Sequence, residues 1–340
     1  MDYNNECFKK EFIEILKKES PSKILFVASS EFDRYGYRKA IDDAGFSCVS
    51  FTDFEPCPEI SSVNKGVEIF NAESCDFIVT VGGGSAMDTA KGIKYYSEKN
   101  VKILAVPTTA GTGAEVTRFA VLYNNADKQS VRSYDIIPEY QVFDYTALKT
   151  LPDTQRVVTA LDAFCHSVEA YWSLNATDES RAYSVESLEL FNDNIEAYLN
   201  DDENTYEPMM RCSELAGRAI NIAQTTSPHA FSYKLHKLKG FYHGQAVAVC
   251  LAYIWKYMLE NCKTIELEIL LAETEVITGF TPDTFISFLE KYRLTDNLEM
   301  TQAEFDETVN GVDISRLSNN PTEFTDRDIE EIYSSFIKIK

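Results

Sequence analysis

The chain has little histidine, little tryptophan and little positive charge. Among 340 residues there are four His and two Trp, and 32 Lys and Arg stand against 54 Asp and Glu, a net charge of −22 at pH 7. This shortage of cationic charge argues against a nucleic-acid partner and against docking on an anionic membrane. It leaves room for a local basic pocket that holds an anionic substrate. No run approaches the roughly 18 apolar residues of a membrane span. The opening MDYNNECFKKEFIEILKKES has no cationic segment followed by an apolar one, so it reads as a short amphipathic helix rather than a signal peptide. There is no CxxC pair. The eight cysteines are scattered, which points to reduced thiols in a cytoplasmic enzyme. Internal repeats and low-complexity linkers are also absent.

The hydrophobic fraction is 44%, enough for a large core, and the length fits two domains at roughly 100–200 residues each. From about residue 20 to 110, short β-branched runs alternate with helical stretches. KILFVAS (23–29), CVSFTDF (48–54), DFIVTV (76–81) and VKILAVPTT (101–109) are the strand candidates. This alternation predicts a doubly wound parallel α/β sheet. Between about 119 and 145 the pattern looks antiparallel, with FAVLY and KQSVRS around a turn at Asn124-Asn125-Ala126-Asp127 and QVFDY following. From Leu151-Pro152-Asp153 onward the period is helical, with Asp153 suited to cap the first helix. The expected division is an α/β domain over 1–150 and an all-α domain over 151–340.

Asp162 and His166 lie four apart in one predicted helix, so they share a face and could chelate one ion. His229 follows Pro228 in the first turn of a helix that Ser227 would cap. His243 opens a His-Gly step before an apolar helix. His236 reads as structural. VTVGGGSAMDTAK (79–91) puts Gly82, Gly83, Gly84 and Ser85 at a strand-to-helix junction. There the backbone can approach a ligand closely and the helix N-terminus favours a phosphate. Asp88 and Lys91, on the following helix, read as surface charges. A second loop, VPTTAGTGAEVTRF (106–119), follows the fourth strand, at the end of a parallel sheet where ligands sit in such folds.

Together, GGGSAMDTAK (82–91), PTTAGTGAEVT (107–117), ALDAFCHSVEAYWS (160–173) and the histidine pair 229 and 243 resemble the iron-containing alcohol dehydrogenase family. The resemblance spans roughly residues 20–260 and implies a dehydroquinate synthase-like fold. It also implies metal ligation by Asp162, His166, His229 and His243, a donor set that suits Fe²⁺ or Zn²⁺. The GGGS turn would hold the pyrophosphate of NADPH or NADH, with Asp88 on its helix and Thr108, Thr109 and Thr112 flanking the cofactor. Ser29, at the end of the first strand, stands with Ser30 where NAD-preferring relatives often carry Asp, which favours NADPH.

Within the family, AEVTRFAVLY (114–123), KQSV (128–131), YWSLNATDES (171–180) and 227–251 look like phosphonoacetaldehyde reductases. That resemblance implies reduction of phosphonoacetaldehyde to 2-hydroxyethylphosphonate, in phosphonate biosynthesis. Arg118 or Lys234 would then bind the phosphonate. Tyr233 replaces a second histidine common in the family, so a proton-relay role there does not carry over unchanged, and the candidate proton sources are Tyr233, a metal-linked water and a ribose hydroxyl. The usual leading β-hairpin is missing before the first strand, which leaves a homodimer open. The rivals are a family dehydrogenase for an uncharged short alcohol, diol or aldehyde, a dehydroquinate synthase-type lyase, and a non-catalytic binding protein, against which the complete set of metal ligands argues.

Overall fold

The computed structural model describes residues 5–29, 32–124 and 127–340. It divides into two units, Met1–Pro152 with Asp201–Met210, and Asp153–Asn200 with Arg211–Lys340. Ser30 and part of the turn expected at 124–127, Asn125 and Ala126, lie outside the described residues.

The first unit opens on α1 (Glu6–Glu19), β1 (Ile24–Ala28), α2 (Tyr37–Asp43), β2 (Cys48–Phe51), α3 (Ile60–Ala72), β3 (Phe77–Gly82), α4 (Gly84–Ser97) and β4 (Lys102–Pro107). β5 (Phe119–Asn124), β6 (Asp127–Arg132) and β7 (Tyr140–Gln141) follow. A five-stranded sheet runs in the order β2-β1-β3-β4-β7, with every pairing parallel. The chain winds from β1 to β2 on one side, then returns across β1 to β3, so β1 and β3 border the switch point of the winding.

Strand residues alternate between two cores, as the period of two requires. Ile24, Phe26, Phe77, Val79 and Leu104 pack with Phe12 and Leu16 of α1 and Tyr37 and Ile41 of α2. Leu25, Val27, Ile78 and Ile103 pack with Val63 and Phe70 of α3 and Ala90 and Ile93 of α4. Both faces are therefore covered, and β1 and β3 read as nearly unbroken apolar runs for that reason.

The region 119–145 differs from its expectation. β5 and β6 are antiparallel, but Tyr140–Gln141 pairs parallel with Leu104–Ala105 at the sheet edge. Two contacts set that register. Val142 is fully buried in the α1–α2 core, and Glu139 accepts a bond from the Ile103 amide at 2.8 Å while pairing with Lys94 at 2.6 Å.

The second unit holds α5 (Asp153–Trp172), α6 (Asp178–Leu199), most of α7 (Tyr206–Ala223), α8 (Ser227–Lys239), α9 (His243–Glu260), α10 (Ile265–Thr278) and α11 (Pro282–Lys291). β8 (Glu299–Met300), α12 (Gln302–Asn310), α13 (Asp326–Ser334) and β9 (Lys338–Ile339) complete it. It is helical except for the two-residue parallel pair β8–β9. The first ten-residue excursion, 201–210, groups with the sheet unit. Asp153 is the first residue of α5 rather than its cap, and its carboxylate sits in the first turn, where the helix dipole favours it. α5 is buried on almost every side. Its Phe164 stacks in an aromatic group with Phe191, Phe280 and Phe285. No described helix is long and apolar enough to cross a membrane.

Phe12 anchors α1 from inside the sheet core, edge-on to Tyr37 at 5.0 Å. Phe12→Ala is expected to lower unfolding stability by about 3–5 kcal/mol, read by denaturant titration.

Candidate metal centre and dinucleotide site

Three helices of the second unit bring one carboxylate and three imidazoles together. Asp162 Oδ1 lies 3.8 Å from His166 Nε2, 3.8 Å from His229 Nε2 and 3.6 Å from His243 Nε2. The first pair follows from the i,i+4 spacing on α5. The others depend on how α8 and α9 pack. α9 crosses α5 at Gly244, where a Cβ would stand 1.9 Å from the Val158 carbonyl oxygen and 3.1 Å from Asp162 Cβ. Only glycine permits that approach, and it sets His243 beside Asp162.

The spacing identifies what the four groups can do. Separations of 3.6–3.8 Å exceed hydrogen-bond length. They are close to the ~3.4 Å edge of a tetrahedron of N and O ligands around an ion at ~2.1 Å. Asp162, His166 and His229 are all buried, and their donor atoms lie within 4.8 Å of one another. The His166 and His229 rings stack at 4.8 Å, with His243 edge-on to His229 at 5.3 Å. The residues present fit a divalent ion. His243 is partly exposed, which leaves one side approachable by a substrate.

The sequence reading did not single out Glu169. It lies one turn beyond His166 on α5, is completely buried, and its Oε1 is 2.5 Å from His229 Nδ1. Its Oε2 accepts the Thr226 amide at 2.7 Å and the Thr226 hydroxyl at 3.1 Å. Burial pushes the carboxyl up to about 8, against the lowering effect of the Thr226 bonds and of His166. An acceptor at Nδ1 keeps the proton there and turns the Nε2 lone pair toward Asp162. The cap of α8 also differs from expectation. Thr226 occupies that place, while Ser227 is the first helical residue and gives its hydroxyl to Asn320 Oδ1 at 2.6 Å.

In the first unit, the two loops singled out in the sequence meet. Gly82–Ser85 crosses from β3 into α4, and the Thr108 amide bonds the Gly82 carbonyl at 3.1 Å. A Cβ on Gly83 would meet Thr109 Cγ2 at 3.1 Å, and one on Gly84 would meet Thr112 Cγ2 at 2.9 Å. The glycines leave the amides of the α4 N-terminus bare beside the threonines, an arrangement that fits a pyrophosphate. Ser29 lies exposed just past β1, across the switch point. Asp88 is half-buried one turn into α4.

Lys91 is not a surface charge. It is wholly buried, with Nζ donating to Thr117 Oγ1 at 3.1 Å and to the Phe119 carbonyl at 2.7 Å. Burial pushes its ammonium down to about 8. It spans from α4 to the end of the threonine loop and so fixes that loop's path.

The two expected anion-binding residues are both engaged. Arg118 is buried, donates to the Tyr134 hydroxyl and lies over that ring, 4.7 Å from its centroid. Lys234 pairs with Glu307 at 2.8 Å. Tyr233 accepts from Arg316 Nη1 at 2.5 Å.

The family models for iron-containing alcohol dehydrogenase match residues 7–145, and those for the Fe-containing alcohol dehydrogenase C-terminal region match 156–337. The chain belongs to this family. The 1,3-propanediol dehydrogenase of Citrobacter freundii is 35% identical over 237 residues, covering 64% of this chain and 61% of that protein. An aldehyde-alcohol dehydrogenase of Streptococcus pneumoniae is 31% identical over 237 residues, covering 61% of this chain and 27% of its own length. The match therefore spans less than two-thirds of either curated relative. The crystal structure of an iron-containing alcohol dehydrogenase from Thermotoga maritima superposes with a TM-score of 0.86 at 26% identity, covering 97% of this chain and 95% of that one.

Two outcomes follow from these geometries. Glu169→Gln is expected to lower Zn²⁺ affinity about 10–100-fold in competition with a chromogenic chelator. Gly84→Val, which fills the space against Thr112, is expected to raise the apparent Kd for NADPH at least about tenfold in fluorescence titration.

Proposed function

We propose that this chain is a metal-dependent, nicotinamide-linked oxidoreductase that reduces a small aldehyde to a primary alcohol. The carrying observation is the convergence of three imidazole Nε2 atoms on Asp162 Oδ1. Asp162, His166, His229 and His243 would hold one divalent ion, Fe²⁺ as the family name indicates or Zn²⁺, which accepts the same donors. When bound, the ion supplies Lewis-acid polarisation of a carbonyl oxygen and the nicotinamide supplies the hydride.

The chain's own residues position these groups. Glu169 holds His229 in the tautomer that leaves Nε2 for ligation. The amides of Gly83, Gly84 and Ser85 take pyrophosphate oxygens, with Thr108, Thr109 and Thr112 alongside and Asp88 on the same helix. Ser29 stands where an Asp would repel the 2′-phosphate of NADPH, which supports that cofactor over NADH. Tyr233, one turn beyond His229 on α8, is the side chain assigned to hand a proton to the product oxygen.

Phosphonoacetaldehyde is the substrate that the resemblance at 114–123, 128–131, 171–180 and 227–251 favours. An uncharged short aldehyde or diol fits the same centre, and the likeness to the Citrobacter freundii propanediol dehydrogenase favours it. NADPH and NADH oxidation by metal-replete protein, with phosphonoacetaldehyde, propanal and lactaldehyde compared, tests both readings. A hundredfold preference for the phosphonate, about 2.7 kcal/mol of transition-state binding, supports the first. Equal turnover of the neutral aldehydes selects the second. No turnover of any of them overturns the oxidoreductase reading.

A further inference from the structure

On the helix that carries His229, the neighbouring cation in sequence is Lys234, but another cation is bonded to that helix. It is Arg316, 87 positions beyond His229 and on no motif of the sequence. Arg316 sits in the short turn Ile314–Leu317, with Nη1 donating to the Tyr233 hydroxyl at 2.5 Å and its guanidinium 5.2 Å from the Tyr233 ring centroid. Tyr233 follows His229 by four on α8, so the two share a face. A helical side chain leans toward the N-terminus of its helix, which carries the phenol, and the guanidinium held on it, back toward the turn that bears His229.

The segment that carries Arg316 is pinned to that same end of α8. The buried Asn320 accepts the Ser227 hydroxyl at 2.6 Å and the Ser227 amide at 3.4 Å. The buried Asn319 donates to the Thr225 carbonyl at 2.8 Å, and its own carbonyl accepts from Leu174 at 2.8 Å. At the other end of the segment, a Cβ on Gly311 would stand 2.4 Å from Lys234 Cε. These contacts hold the backbone on both sides of Arg316 against the helix that carries a metal ligand.

The guanidinium is not used up by these contacts. Nε faces Asp313 at 3.3 Å and Nη1 bonds Tyr233, two of the five N–H donors a guanidinium carries. The side chain is 36% exposed, enough to meet a ligand from solvent. Lys234 pairs with Glu307 as Arg316 faces Asp313, but an ammonium offers no planar fork. A planar fork beside a carbonyl-polarising centre matches one ligand chemistry, an oxyanion two or three bonds from an aldehyde.

We propose that Arg316, oriented by Tyr233, binds the anionic end of the substrate, so that the preferred substrate is a small aldehyde carrying an oxyanion. This rests on the oxidoreductase reading above. The test uses the metal-loaded enzyme with phosphonoacetaldehyde, sulfoacetaldehyde and propanal as substrates and ethylphosphonate as an unreactive probe. Arg316→Gln should cut the ratio of kcat/KM for phosphonoacetaldehyde over propanal about thirtyfold or more, the scale of a lost charge-assisted pair. It should also raise the calorimetric Kd of ethylphosphonate about tenfold or more. Arg316→Lys, which keeps the charge without the fork, should fall between, and it serves if the glutamine variant does not fold. A ratio and a Kd that both stay within threefold overturn the assignment, as does a loss of both seen in Arg118→Gln instead. If the wild type reduces propanal but discriminates against both anionic aldehydes, this inference fails while the oxidoreductase reading stands. If it reduces none of them, that reading fails, and ethylphosphonate binding alone still decides Arg316. The sulfonate arm shows whether the site takes oxyanions in general or a phosphonate in particular.

Discussion

A carboxylate buried among helices is costly unless a positive charge answers it. Asp162 is buried, and the three groups aimed at its Oδ1 are imidazole nitrogens at separations too long for hydrogen bonds. The second unit is organised around that constraint. α5 supplies two of the groups on one face. α9 can supply the third only because Gly244 lets it touch the α5 backbone. α8 supplies the fourth from its first turn, where the Glu169 carboxylate gathers the Thr226 amide, the Thr226 hydroxyl and the His229 ring. A divalent ion between these groups would be answered directly by the Asp162 carboxylate, and Glu169 would act on it through its bond to His229.

The sheet unit meets a different constraint, a bare backbone at the N-terminus of α4. Here the side chains that matter are the missing ones. Thr109 and Thr112 stand where Cβ atoms on Gly83 and Gly84 would need room. The threonine loop is in turn fixed by a lysine that is itself buried, bonded to Thr117 and to the Phe119 carbonyl. A lysine so placed gives up hydration to hold a loop, and its hydrogen-bond acceptors recover part of that cost. The motif that runs from Gly82 to Lys91 therefore has two separate tasks, an open N-terminus and a tether behind it.

These tasks differ in how far a sequence reveals them. The central strands β1 and β3 are legible because both faces of the sheet are covered there, which makes each an apolar run. The Asp162–His166 pair is legible because helix geometry is local. The His243-Gly244 step is visible as a pair of letters, but its reason, the Val158 carbonyl, lies 86 residues upstream. Glu169 was passed over because a helical glutamate is usually solvated, and only α8 packing against α5 buries it. Lys91 was misread for the same reason. The two-residue strand Tyr140–Gln141 has no pattern long enough to read, and its register comes from Val142 and Glu139 finding partners elsewhere in the fold. Arg316 was invisible for a stronger reason. Proximity in sequence pointed to Lys234, while the contact that orients Arg316 is made through Tyr233 and two buried asparagines.

The global charge bears on the last point. At −22, the chain presents a field that opposes an anionic substrate at long range. At physiological ionic strength that field is screened beyond about 8 Å. Selection of an oxyanion must therefore come from contacts made at hydrogen-bond distance, where a fixed guanidinium is stronger and more directional than a mobile ammonium. A residue serving that purpose has to be held in place by groups other than the substrate. The Tyr233 hydroxyl, Asp313 and the pinned backbone at Asn319 and Asn320 meet that requirement around Arg316. Of these, Tyr233 lies on the helix that also carries His229, and Asn320 bonds the first residue of that helix.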